Sequence, residues 1–566
     1  MASIINKKVK NYKYYYYVES KRIDGKPKFV NQKYLGTAEK LLEKVLFAEK
    51  SLQERVLYSD VAEFGAVALL YDIASRLGIT DIIDNLLPKR KQGASVGAYI
   101  LIAAINRATR PSSKSGFAEW YSGTCLPMIT GLKPSVFSPQ NFWNNTGISE
   151  EELDLVEEAI LERIIDTYDI DTSQIIYDAT NFFTFIDTTQ DSELAKRGHS
   201  KEKRKDLRIV GLALMVSPDH AIPLLHETYP GNRSDAKEFP VMVQKLKSRY
   251  EAITKNETDV TIVFDRGNNS EDNIALLDSG ENKFHYVGGL KKNQATELYS
   301  VDLSEYTPLE SPSLKGQLAY RAKASVFGRN VVAVIVYNPE LEEGQMQGIL
   351  ANLETANAKL LALQQRLMRR ANGEVTKGKK PTTDSIINSV EKILAVEYMK
   401  DIFYYTVLES DGNPLLSYSH SEERLDGIRR EHLGKTVLFT DREDFTNEQI
   451  VAAYRNAWHV ESSFKRMKDP QHLTVRPMFH WTDEKIRVHI FSCVLAYRLC
   501  SLLVKELSEK GISISINRMI DEMARVKRVN TFFGDLVKPE IVSSFTLGSE
   551  LSQQIEELYS LKEKYS

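Results

Sequence analysis

The sequence predicts an α/β core, a mixed sheet flanked by helices and split by a long β-rich and helical insertion, with a small N-terminal β-hairpin and helical domain ahead of it. Three observations carry this. At Ser173 a helical texture gives way to short apolar runs, QIIYD (174–178) and VTIVFDRG (260–267), the second apolar enough to be buried on both faces. These runs bring Asp178 and Asp265 to strand ends, where an open α/β sheet places its ligands. Far downstream, Thr446–Asp469 (TNEQIVAAYRNAWHVESSFKRMKD) reads as one amphipathic helix, opened by a capping box of Thr446 and Gln449.

The 566 residues suit roughly three to four domains of about 150 residues each. A composition of 42% hydrophobic and 27% charged residues is that of an ordinary soluble globular protein. Cys125, Cys493 and Cys500 lack metal-ligand spacing and fit a reducing compartment with no disulfide framework. The opening MASIINKKVKNYKYYYY has no apolar signal-peptide segment. The longest apolar stretch, IRVHIFSCVLAYRLCSLLVKEL, is broken by charges, which argues against a membrane span; the expected location is the cytoplasm. The net charge is −3, so a nucleic-acid partner has to be sought in local clusters.

Residues 1–58 begin with a β-hairpin, Tyr14–Glu19 and Lys28–Tyr34, joined through the turn pair Asp24-Gly25. Lys8, Lys10, Lys13, Lys21, Arg22, Lys26, Lys28 and Lys33 surround its tyrosines. That interleaving suits a grip on nucleic acid and equally a lysine-guarded edge strand. Residues 59–170 read as helical, with Lys89, Arg90, Lys91, Arg107, Arg110 and Lys114 near helix ends. A small DNA-binding domain and a helical scaffold without DNA contact both fit. Residues 171–299 hold the first part of the core, with further strands RIVGLALMV, IPLLHETYPG and HYVGGL and a helix from about Ala236 to Tyr250. Residues 300–444 form the insertion: a hairpin turning at Gly328-Arg329-Asn330, a long helix Glu342–Ala371 with a leucine stripe, a second helix and more strands. Residues 445–510 return to the core through the Thr446–Asp469 helix and a strongly apolar one. Residues 511–566 are a C-terminal helical region with a basic patch at Arg525, Lys527 and Arg528.

Positions seven apart on a helix drift by only about 20°. Tyr454, Glu461 and Lys468 therefore share one face, with Trp458 and Phe464 beside them. A phenol, a carboxylate and an ammonium on one face can meet a metal ion and a phosphate backbone together. Two strand-end aspartates and a helix-borne glutamate are what a two-metal phosphoryl-transfer site needs, since Mg²⁺ prefers oxygen ligands and uses one or two protein carboxylates per ion. Taken alone, Asp178 and Asp265 also read as helix caps or turn residues. Between them, Lys196, Arg197, Lys201, Lys203, Arg204, Lys205 and Arg208 concentrate positive charge that suits a polyanionic substrate.

YDATNFF, GHSKEKRKDLRIVGLAL, PGNRSDAKEF, VFDRGNNSEDN, YRNAWHVESSFKRMKD and VRPMFHWTDEKIRVHI occur in that order. The ordered set resembles insertion-sequence transposases of the DDE type, in the group with a Tyr-Arg-Glu-Lys signature and a ribonuclease-H-like core split by a β-rich insertion. The matching motifs run from about residue 173 to 492. The resemblance implies Asp178, Asp265 and Glu461 as the catalytic, metal-binding triad for two Mg²⁺ ions, with Mn²⁺ as a substitute and Asp178 bridging both. It implies cleavage at transposon ends, strand transfer into target DNA, and a homodimer pairing two terminal inverted repeats. Tyr454 and Lys468 match the signature Tyr and Lys, and Arg455, Lys465, Arg466, Lys201, Lys203, Arg204 and Lys205 are the remaining DNA-binding candidates. Ala457 stands where the signature has Arg. The four tryptophans, Trp120, Trp143, Trp458 and Trp481, lie outside the insertion, where relatives that form a DNA hairpin use an aromatic to hold a flipped base. The alternatives are a decayed or domesticated transposase acting as a DNA-binding protein, and a nuclease without strand transfer.

Overall fold

The computed structural model of the protein describes residues 2–10, 12–23, 26–49, 56–87, 93–186, 191–198, 204, 206–233, 235–254, 259–277, 284–410, 412–534 and 539–566. The chain forms two compact units, Met1–Gly147 with Leu503–Ser566, and Ile148–Leu502. Strands are numbered in chain order.

The first unit opens with three antiparallel strands, β1 (Ala2–Val9), β2 (Tyr12–Ile23) and β3 (Lys26–Gly36). The expected hairpin is the β2–β3 pair. Its strands are longer than their β-prone centres, and its turn pair Asp24-Gly25 lies outside the described residues. β4 (Val56–Glu63) sits at the head of the segment read as helical, and pairs with β16 (Lys527–Phe533), itself paired with β17 (Glu540–Phe545). The C-terminal segment is therefore not helical throughout. The bond from Ser59 Oγ to Thr531 Oγ1 spans 472 positions, and a partner so distant leaves no local sign. Helices Gly65–Arg76, Ile79–Leu86 and Val96–Thr109 follow as expected, and Tyr99, Phe117, Tyr121, Phe137 and Phe142 form a buried aromatic cluster. Of the basic residues there, Lys89, Arg90 and Lys91 lie outside the described residues. Arg107 is buried with Nη2 donating to the Ser112 carbonyl, and Lys114 lies over the Phe142 ring.

The second unit is built on a nine-stranded mixed sheet. Its strands are β5 (Gln174–Thr184), β6 (Arg208–Val216), β7 (Pro223–Pro230), β8 (Thr261–Phe264), β9 (His285–Leu290), β10 (Thr307–Pro308), β11 (Leu318–Val326), β12 (Arg329–Tyr337) and β15 (Lys435–Thr440). They lie in the order β10-β11-β12-β15-β9-β8-β5-β6-β7. β5, β6 and β7 are antiparallel neighbours, whereas β8 runs parallel to β5 and β9 parallel to β8. β5 is longer than the QIIYD run, because ATNFFT continues its pairing with β6 as far as Thr184. The segment read as an insertion is partly an extension of this sheet, its hairpin β11–β12 joining through β15 to β9. The rest of that segment packs on itself. Helices Pro339–Ala371 and Thr383–Ile393 and the hairpin β13 (Phe403–Ser410)–β14 (Asn413–His420) bury Leu360, Leu363, Leu367, Ile386, Val390 and Phe403 together.

Helices Glu150–Tyr168, Asp235–Thr254 and Asp483–Glu509 flank the sheet, and a buried ion network joins them to β7. Glu157 accepts from Arg498 Nη2 at 2.7 Å, Arg249 Nη2 at 3.0 Å and the His226 ring at 2.7 Å. Arg249 also meets Glu227 at 2.7 Å and Glu158 at 2.8 Å. Burial alone would raise the Glu157 carboxyl, but His226, Arg498 and Arg249 hold it well below the usual carboxylate range. Helix Asp483–Glu509 is long and apolar enough to cross a membrane, and 89% of that apolar window is buried within the protein.

Candidate active site

The parallel register of β5 and β8 brings two distant aspartates together. Tyr177 pairs with Phe264 as the last position of that ladder, and Asp178 and Asp265 are the next residue on each strand. The Tyr177 and Phe264 rings both pack on Phe239 of helix Asp235–Thr254, with centroids 5.0 and 5.4 Å away. Side chains alternate across a strand, so Asp178 is turned to the opposite face. Asp178 thus lies within a strand, at the point where its parallel neighbour stops, because the chain after Phe264 turns into the short helix Arg266–Asn268. Asp178 is half-buried and Asp265 exposed.

Glu461 comes from the Thr446–Asp469 segment, which differs from the single helix expected. The capping box is present, with Thr446 Oγ1 accepting from Gln449 N at 3.2 Å and Gln449 Oε1 from Thr446 N at 2.8 Å. The segment is two helices, Asn447–Asn456 and Trp458–Met467, meeting at Ala457. There the Ala457 N–H bonds the Tyr454 carbonyl, three residues back rather than four, at 3.1 Å. Asn456, a residue type with a low helix propensity, precedes the break. The heptad face is therefore divided: Tyr454 stands on the first helix, Glu461 on the second, and Lys468 just beyond it.

Asp178, Asp265 and Glu461 nevertheless line one cavity of about 370 Å³, together with Tyr454, Arg455, Ala457 and Trp458. The Tyr454 hydroxyl donates to Asp265 Oδ1 at 3.4 Å, and burial followed by the Asp265 charge pushes the phenol up. Tyr454 reaches that position because residue 289 is glycine: a Cβ there would stand 2.3 Å from the Tyr454 hydroxyl oxygen. Lys468 Nζ donates to Thr180 Oγ1 at 2.8 Å, two residues along β5 from Asp178 and on the same face.

The other expected DNA contacts are dispersed. Arg455 lines the cavity and donates to the Ser313 carbonyl at 3.1 Å, Lys465 is exposed, and Arg466 donates to the Tyr497 hydroxyl at 3.3 Å. Arg204 pairs with Asp206, while Lys201, Lys203 and Lys205 lie outside the described residues. Sequence reading missed Arg266, Gln317 and Asn338, which also line the cavity. Arg266 had a signal, since it follows Asp265 directly. Burial acts to lower its guanidinium, but Tyr454 and Asp265 beside it raise it overall, so it stays charged. Gln317 and Asn338 come from the insertion and had none.

Three carboxylates with no thiol or imidazole among them form a donor set for a hard divalent cation. Gln317 Oε1 is buried with no hydrogen-bond partner, an acceptor on the cavity wall with no donor or cation opposite it among the described residues. The donor types present fit such an ion. Among the described residues no group of three or more His, Cys, Asp or Glu side chains stands close enough to hold a metal ion, so the three carboxylates share the cavity wall without forming a ready ligand cluster.

No curated protein matches the chain. Among solved structures it is similar to the cryo-EM piggyBac transposase synaptic complex with hairpin DNA, at 8% identity over 81% of this chain and 78% of that one, with a TM-score of 0.36. Residues 171–499 match the transposase DDE domain, more than half of the chain and all three carboxylates included, so the protein belongs to the DDE transposase family.

Proposed function

We propose that this transposase cuts DNA at the ends of a mobile element and joins the freed 3′-hydroxyls to target DNA, a cut-and-paste reaction. The observation that carries the reading is the meeting of Asp178 and Asp265, adjacent in parallel register, with Glu461 across one cavity. Asp178, Asp265 and Glu461 would hold two Mg²⁺ ions. Bound there, the ions supply activation of the attacking oxygen and neutralisation of charge on the leaving one. The order β7-β6-β5-β8-β9, three antiparallel strands followed by two parallel ones, supports a ribonuclease-H-like core. In this reading residues 171–299 and 445–510 make that core and 300–444 are inserted into it.

The chain's own groups bind and orient the DNA. Arg266 and Arg455 offer fixed positive charge at the cavity wall for the phosphate, in place of the arginine absent at Ala457. Lys468, held by Thr180, offers a further point charge along the β5 face. Tyr454, seated on Gly289, presents its hydroxyl beside Asp265. The protein would work as a homodimer that pairs two ends, in the cytoplasm.

Ala457 favours one second reading, a transposase that has kept end binding and lost cleavage. An excision assay with Mg²⁺ on DNA carrying the inverted repeats that flank the gene separates the two. Cleavage by wild type and none by Glu461→Ala, with end binding retained in both, supports the active enzyme. End binding by wild type without cleavage overturns it. Cleavage without joining of pre-cut ends would leave a nuclease.

A further inference from the structure

The pleat of the N-terminal sheet sorts its charges. Opposed residues on neighbouring strands share a face, and residues two apart along a strand do so too. The pairs Lys8↔Lys13, Tyr17↔Lys33, Lys21↔Lys28 and Ile23↔Lys26 therefore set six lysines on one side: Lys8, Lys13, Lys21, Lys26, Lys28 and Lys33. All six are exposed. The irregularity between Glu19 and Ser20 keeps this sorting intact, because it shifts β3 by one residue and returns Lys28 to the side of Lys21. The acid on that side, Glu19, accepts from the Tyr17 hydroxyl at 2.6 Å. Two of the pairs set lysine directly opposite lysine, which weakens a sheet. A chain of net charge −3 thus concentrates like charge on one sheet face, against the stability of that sheet.

We infer that this lysine face is a second DNA-binding surface, docking on the phosphate backbone of duplex DNA outside the catalytic cavity. A polyanion removes the lysine–lysine repulsion, and β-ribbons and β-sheets are among the elements that lay strands along the grooves of B-form DNA. Backbone contacts of this kind position a protein without reading sequence, so the face would add affinity and register rather than choice of site. The inference rests on the proposed DNA transposition, and its test separates the two.

Full-length protein is titrated against a 40-base-pair duplex of arbitrary sequence by fluorescence anisotropy, over a range of salt. Replacing Lys8, Lys13, Lys21 and Lys28 by Gln together is expected to weaken binding about 10- to 100-fold, and to lower the salt slope by about 3 to 4, roughly 0.9 per lost phosphate contact. The same four changed to Arg keep the slope, which excludes misfolding as the cause. Lys7→Gln, on the opposite side of β1, leaves it within about one. An unchanged slope in the four-Gln variant overturns the inference, as does equal loss in the four-Arg variant or tighter binding of an RNA duplex of the same sequence. Mg²⁺-dependent cleavage of end-bearing DNA is measured alongside. Wild type that cuts while the four-Gln slope is unchanged refutes the lysine face alone, and wild type that does not cut refutes the transposition reading.

Discussion

The second unit holds two groups of carboxylates that differ in burial and in what surrounds them. Glu157 and Glu227 are buried, and each accepts from guanidinium or ammonium groups on neighbouring elements. Asp265 and Glu461 are exposed and Asp178 is half-buried, in a cavity that opens to solvent. The buried group is saturated by the protein's own cations, so its charges fix how Glu150–Tyr168, Asp235–Thr254 and Asp483–Glu509 meet the sheet. The open group has Arg266, Arg455 and a tyrosine hydroxyl nearby, and lines a cavity that solvent reaches. The buried carboxylates are enclosed by cations within the fold, whereas the three proposed for the chemistry face an open cavity.

That contrast breaks most sharply at the open group. Asp265→Asn is expected to lower DNA cleavage about a thousandfold or more, with the melting temperature unchanged, because an exposed carboxylate held by one long hydrogen bond contributes little to the fold. A large drop in melting temperature would erase the distinction. The converse test is Arg498→Ala, which removes the fully buried one of Glu157's cationic partners and leaves Arg249 and the His226 ring to hold it. It is expected to cost about 3–5 kcal/mol in urea unfolding, with cleavage per folded molecule retained.

Gly289→Val lies between the two. The added side chain collides with the Tyr454 hydroxyl, so cleavage should fall about 10- to 100-fold, or about 1.4–2.8 kcal/mol of barrier, while end binding persists. Tyr454→Phe on the Gly289→Val background should then add little, and full additivity would show that the two residues act separately.

The smallest effect is in pH. Glu157 is held below its ordinary value near 4.3 in the folded chain, so the unfolded chain binds more protons as acid is added. Its stabilisation is complete above about pH 4.3 and is lost as pH falls below that toward the folded value, by up to about 1.4 kcal/mol per unit. Glu227, raised chiefly by burial, has the opposite sign. A shallower acid slope in Glu157→Gln than in wild type, read by urea unfolding between pH 3 and 5, isolates the first term. Equal slopes would assign acid sensitivity elsewhere.

Asp265 was legible in the sequence because a buried strand and its terminal carboxylate are contiguous, and Thr446 because a capping box needs only four residues. The length of β5 was not, since ATNFFT is held in the sheet by β6, a strand that local pattern does not assign to it. The break at Ala457 was not, since a period-seven face is blind to one bond that shifts from the fourth residue back to the third. Gln317 and Asn338 were out of reach for a third reason. They belong to chain that reads as inserted, and only the pairing of β15 with β9 shows that part of it continues the sheet.

The register of β5 and β8 has a consequence in time. A chain emerging from the ribosome carries Asp178 and Asp265 once β8 is made, but Glu461 follows only after β11, β12, β15 and the helices between them. During synthesis the nascent protein can therefore set the two aspartates side by side on β5 and β8 while its third carboxylate is still to come. The carboxylate set proposed for the chemistry is thus complete only after the strands and helices that separate β8 from Glu461 have been made.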